Sequence, residues 1–156
     1  MVYPPALEKN WTDTFKLFDI KRYAQFVSNG SLNKIIESEG NFREKGEYDL
    51  VIVDEAHNFR GATAGRYDDL QLICKTPRIN EGLVKGHHKK VMLLSATPLN
   101  NRPTDLLNLL LLFQNARYST IEGIQNLPVT FSPWIEEYDK LMRERKLDKY
   151  NDCLLY

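Results

Sequence analysis

Residues 48–58 read Tyr-Asp-Leu-Val-Ile-Val-Asp-Glu-Ala-His-Asn: a short apolar run that stops on two acids, Asp54 and Glu55. The run is brief and β-branched. It predicts a strand over 49–54, buried on both faces as in a parallel α/β sheet. Acids at the carboxyl end of such a strand lie where open α/β sheets bind ligands. Two neighbouring carboxylates can there divide the work on a nucleotide. One holds Mg²⁺, which accepts few carboxylates and takes phosphate oxygens for the rest. The other polarises an attacking water. Asp-Glu alone reads equally well as a strand ending in a polar turn, so a second feature has to decide.

That feature is the run 91–101, Val-Met-Leu-Leu-Ser-Ala-Thr-Pro-Leu-Asn-Asn. Val91 to Leu94 predicts another strand. It ends in the hydroxyl residues Ser95 and Thr97, and Pro98 cannot continue a ladder because it has no N–H. Between and around these strands, helical and strand patterns alternate. Val2-Tyr3 reads as a strand closed by Pro4-Pro5. Leu7, Trp11 and Phe15, with Leu17 and Phe18, have helical spacing. Arg22 to Val27 reads as a strand, and Leu32 to Glu39 as a helix ended by Gly40. Pro103 suits the first turn of a helix running to about Asn115, and Ser132-Pro133 the start of a last amphipathic helix. The expected fold is a three-layer α/β sheet.

Asp54-Glu55-Ala56-His57 combined with Leu94-Ser95-Ala96-Thr97-Pro98-Leu99-Asn100-Asn101 resembles motifs II and III of the superfamily-two helicases. The Pro-Leu-Asn-Asn extension and the leucine-rich segment after it (Leu106, Leu107, Leu109, Leu110, Phe113) resemble the Swi/Snf-type DNA translocases most closely. Tyr3-Pro4-Pro5-Ala6-Leu7 with Asn10-Trp11 is similar to motif Ia, and Phe26 to Leu32 more weakly to motif Ib. The resemblance covers residues 2–114. It implies a partial RecA-like P-loop NTPase lobe over 1–114, followed by a helical extension over 115–156 that carries no assignable motif.

The resemblance also implies roles. Asp54 would help hold Mg²⁺, as in a Walker B strand, and Glu55 would orient and deprotonate the water that attacks ATP. His57 would link that site to Ser95 and Thr97. Pro4, Pro5, Ser28 and Ser31 would touch the phosphate backbone of double-stranded DNA, which positions a strand without reading its sequence. A second RecA-like lobe of the same polypeptide is the implied partner. A phosphate cradle needs Gly-x-x-x-x-Gly-Lys-Ser/Thr, and no Gly here is followed by Lys-Ser or Lys-Thr. The segment from Gly61 to Tyr67 is a decoy, with Arg66 and Tyr67 where Lys and a hydroxyl ligand belong. The phosphate-loop strand is thus expected upstream, the fragment alone is expected to be inactive, and neither ATP nor Mg²⁺ is expected bound to it. The motif III strand would lie on an open sheet edge through Met92 and Leu93. That edge would either drive self-association or be covered by residues 127–131. The alternative from another class is a non-catalytic RecA-like scaffold or DNA clamp.

The remaining features favour plain readings. Acidic and basic side chains balance at 21 each, so any DNA contact has to be local. Cys74 and Cys153 lack metal-ligand spacing and fit a reducing, cytoplasmic setting. No apolar run approaches the ~20 residues that span a bilayer. His87-His88 with Lys89-Lys90 reads as a solvated basic turn. His57 is a poor zinc ligand without a second suitably spaced His. Trp11 could stack on a base, but its spacing from Leu7 and Phe15 assigns it to the core.

Overall fold

The computed structural model describes residues 1–61, 65–79, 87–96 and 102–144. Thr97 and the Pro-Leu-Asn-Asn segment lie outside them, as do Cys153 and most of the loop between Gly61 and Gly65. The strands are β1 (Val2–Tyr3), β2 (Val27–Ser28), β3 (Leu50–Val53) and β4 (Lys90–Leu93). The helices are α1 (Glu8–Leu17), α2 (Asn33–Ile36), α3 (Arg66–Lys75), α4 (Pro103–Leu111) and α5 (Leu127–Arg143). The four strands form one parallel sheet in the order β2-β1-β3-β4.

This order places the helices. The chain moves one way from β1 to β2, then the other way from β2 past β1 to β3 and on to β4. Right-handed crossovers therefore put α1 on one face and α2 and α3 on the other. The packing agrees. Tyr3 meets Phe26, and Phe26 meets Phe15 of α1, each edge to face. Val2 precedes Tyr3 and so faces the opposite way. It joins Leu32, Ile35, Val51, Val53, Leu70, Ile73, Leu109 and Leu112 in the main core.

The two faces are covered unequally. On β3, Val51 and Val53 are buried, Ile52 is half-buried and Leu50 is 45% exposed. The expected burial on both faces is therefore corrected: α1 covers only the side near β1 and β2. On β4, Val91 and Leu93 pack against the core while Met92 is 49% exposed. β4 is the terminal strand of the sheet among the described residues.

Three other expectations are revised. Arg22 to Val27 is not one strand: Lys21–Tyr23 form a 3-10 turn and pairing begins at Val27. Leu17 and Phe18 follow the helical spacing but are 80% and 67% exposed. Residues 127–131 do not cover the β4 edge as a strand, because they open α5. Asn126 caps that helix, its side chain accepting from Val129 N at 3.2 Å. Pro128 sits in the first turn, where its missing N–H costs nothing. Pro133 lies inside the helix and leaves the Val129 carbonyl without its usual donor, on a residue 67% exposed to water. Leu127, Phe131 and Ile135 form the buried stripe and pack on Leu107 and its neighbours in α4.

Candidate functional site

The chain leaves β1 toward one face and β3 toward the other, so the winding reverses between their carboxyl ends. Open α/β sheets bind ligands at such a reversal. Asp54 stands there, one residue beyond β3, its N–H donating to Val2 O at 2.9 Å. Its carboxylate is held twice. Oδ1 accepts from Glu55 N at 2.8 Å, and Oδ2 accepts from the indole Nε1 of Trp11 at 2.6 Å.

Glu55 turns the chain sharply, with φ 50° and ψ 48° in the left-handed region. That region costs a non-glycine residue about 1–2 kcal/mol. Asp19 and Ser38 also have positive φ, but they follow α1 and α2, where left-handed caps are ordinary. Glu55 follows a strand, and strain of this kind clusters at functional sites. The 3-10 turn Ala56–Phe59 comes next, pinned by Ala56 N donating to Leu94 O at 2.9 Å and by the buried side chains of Ala56 and Phe59. The turn brings His57 back, with Nδ1 at 3.0 Å from Glu55 Oε2. The Glu55 Oε2 atom is shut off from solvent and accepts no well-aligned hydrogen bond among the described residues. Its contact with His57 becomes an ion pair only when the imidazole is protonated.

Ser95 reaches the same group. Leu94 N donates to Val53 O at 2.8 Å, which fixes the end of β4 beside β3, and Ser95 Oγ lies 3.4 Å from His57 Nδ1. The structure thus joins the half-buried side chains of Glu55, His57 and Ser95, with Asp54 beside them through the Glu55 N–H. Thr97 lies outside the described residues. Pro4 and Pro5 sit at the carboxyl end of β1, with Pro5 exposed. Ser28 and Ser31 sit at the end of β2, where Ser28 Oγ donates to Ser31 Oγ at 3.0 Å. Parallel pairing puts all of these residues on one rim of the sheet.

The donor set bears on which cation fits. Among the described residues, no three His, Cys, Asp or Glu side chains group so as to hold a metal by themselves. A closed zinc-type site is thereby disfavoured there. Asp54 retains lone pairs beyond its two N–H contacts, which matches the single carboxylate that Mg²⁺ takes alongside phosphate oxygens.

Two features escaped the sequence reading. Trp11 is half-buried and edge to face with Phe15 at 6.1 Å, as its spacing implied, yet its N–H belongs to the site. No pattern in α1 signals this, because the bond crosses to another strand. The basic turn is also only partly solvated. His87, His88 and Lys90 are exposed, but Lys89 is buried and donates to Thr76 O. Burial lowers the Lys89 pKa to about 8 and raises that of Cys74 to about 12. Both line an open cleft of about 930 Å³ beside β4, with Lys75, His88, Lys90 and Arg117 on its walls. Nearby, Arg78 is buried and its Nη2 lies 2.7 Å from Asp49 Oδ1.

Comparisons of this chain with protein-family models, curated proteins and solved structures give no match. No described helix is long and apolar enough to cross a membrane.

Proposed function

We propose that this chain is part of the first RecA-like lobe of a Swi/Snf-type, ATP-dependent translocase on double-stranded DNA. The observation that carries the reading is the cluster after β3: Asp54 held by two N–H groups, Glu55 in a strained turn with one sequestered oxygen, and His57 between Glu55 and Ser95. These parts lie at the carboxyl end of a parallel sheet, where a nucleotide site would place a cation-holding and a water-orienting carboxylate. The strand order supports it as well, with the motif II strand flanked by the motif Ia and motif III strands.

In the intact enzyme Mg²⁺ would supply charge neutralisation of the ATP phosphates, and Asp54 would hold it. Glu55 would accept a proton as the water oxygen bonds to the γ-phosphorus and the bond to the ADP oxygen breaks. Catalysis of this kind is mainly positioning and electrostatics. His57 would pass the state of Glu55 to Ser95 and Thr97. The turns at Pro4-Pro5 and Ser28–Ser31 would meet the DNA phosphates. The second lobe would close over the site, and the outer edge of β4 would take the phosphate-loop strand or, in its absence, a second copy of the chain. A cytoplasmic, reducing setting suits the free, buried Cys74.

The test is Mg²⁺-dependent binding of a fluorescent ATP analogue to the polypeptide of the complete reading frame. Asp54→Asn should abolish the Mg²⁺-dependent part, and Glu55→Gln should leave binding intact. No Mg²⁺-dependent binding by the wild type rejects the enzyme reading in favour of a scaffold or clamp.

A further inference from the structure

Trp11 and Asp54 follow the two strands, β1 and β3, between which the winding of the sheet reverses. The indole stands on α1, directly after the Pro4–Leu7 turn that leaves β1, and the carboxylate stands at the end of β3. The bond between them, 2.6 Å from Nε1 to Oδ2, is short for an N–H donor and suits a charged acceptor. Trp11 is not free to swing. Its ring meets Phe15, Phe15 meets Phe26 at 5.1 Å, and Phe26 meets Tyr3 of β1 at 6.2 Å, all edge to face. A row of four aromatic rings thus ties the indole to the strand whose exit turn carries Pro4 and Pro5. The other Asp54 oxygen is fixed by the Glu55 N–H at 2.8 Å. Trp11 therefore sets the plane of the carboxylate.

We infer that Trp11 is the positioning residue for Asp54, and that its N–H makes the divalent-cation affinity of the site depend on the turn at Pro4–Leu7. The inference rests on the nucleotide-site reading above and extends it: the DNA-facing turn and the cation-holding carboxylate are joined by one hydrogen bond. Groups that orient a ligating carboxylate from outside typically change metal affinity by about 10- to 100-fold when removed. Trp11→Phe keeps the ring against Phe15 and removes only the donor.

Two measurements test this. In the first, the indole Nε1–H signal of Trp11 is followed by NMR in this chain, with Trp134→Phe used to assign it. Asp54→Asn should shift the Trp11 signal and speed its exchange with solvent. An unmoved signal overturns the inference, whatever the protein does with nucleotide. In the second, the Mg²⁺ concentration for half-maximal nucleotide binding is measured on the complete polypeptide. Trp11→Phe should raise it about tenfold with little change in Tm. A purely structural Trp11 would lower Tm and leave the Mg²⁺ requirement alone, which overturns the inference while leaving the functional reading intact. A wild type without Mg²⁺-dependent binding fails the functional reading and the cation role of Trp11 with it, and the NMR result then decides the bond itself.

Discussion

Met92 and Leu93 are neighbours on β4, yet a charge should cost far more at one than at the other. Val91 and Leu93 point into the main core, whereas Met92 points to the sparsely covered face and is 49% exposed. The register Ile52↔Met92 and Val53↔Leu93 fixes this alternation. Leu93→Lys removes an apolar side chain worth about 1.5–3 kcal/mol when fully buried. It also places an ammonium group among Val53 and its neighbours. The Leu93 site is only half-buried and a lysine stem can carry its charge outward, so the apolar loss and a reduced desolvation term together give about 2–4 kcal/mol. Met92→Lys should cost under about 1 kcal/mol, as surface changes usually do. Urea unfolding followed by circular dichroism measures both, provided the slopes match the wild type. Light scattering after size exclusion adds a second readout. If copies associate over the uncovered face of β4, Met92→Lys should return the chain to monomer. A larger loss for Met92→Lys than for Leu93→Lys would mean a register slipped by one residue, which turns every β4 side chain to the other face.

Further outcomes follow from single sites. Lys89 titrates at about 8 in the fold against 10.5 when free, because burial disfavours its charge. The unfolded chain then binds more protons between about pH 8 and 10.5, so stability from this group rises across that window. Lys89→Met should flatten the rise in a pH series of urea midpoints, and an unchanged slope would exclude Lys89 as its source. Cys74 opposes the rise above pH 9, since its thiol stays protonated in the fold up to about 12. A Cβ at Gly46 would stand 2.5 Å from Ile79 Cγ1 and 3.1 Å from Pro77 O. Gly46→Ala should therefore cost about 1–3 kcal/mol in the same unfolding assay, and a neutral result would show that the Pro77–Ile79 segment moves aside freely. DNA binding by this chain should be weak, fall steeply with salt and show no sequence preference. Tight, salt-insensitive binding in a fluorescence titration would favour the clamp.

The parallel sheet was legible because its signals are local. β3 and β4 are apolar runs ended by polar residues, and Pro103 marks the start of α4. The grouping of Asp54, Glu55, His57 and Ser95 is implied by the resemblance to helicase motifs II and III; the fold joins the side chains of Glu55, His57 and Ser95, and Asp54 meets them through the Glu55 N–H. What was missed depends on distant partners. Trp11 looks like any apolar helical residue until β3 places a carboxylate against it. The exposure of Leu50 and Met92 follows from which face the crossovers cover, not from the runs themselves. Pro128 reads as a loop marker and Ser132-Pro133 as the helix start, yet Asn126 caps the helix ahead of both and Phe131 packs against α4 between them. Lys89 shares its pattern with His87, His88 and Lys90, and only the Thr76 carbonyl above it separates the buried cation from the solvated ones.

We propose that Glu55 activates water in a DNA-stimulated ATPase. Steady-state phosphate release by the polypeptide of the complete reading frame tests it most directly, with and without double-stranded DNA, for wild type and Glu55→Gln. The account predicts DNA-stimulated turnover in the wild type and a loss of at least about 100-fold in Glu55→Gln, within the 10²–10⁴ that a positioned base supplies. The isolated chain, without a phosphate loop, should release no more phosphate than its own Glu55→Gln control. Turnover in Glu55→Gln equal to wild type, or hydrolysis indifferent to DNA, would contradict the account.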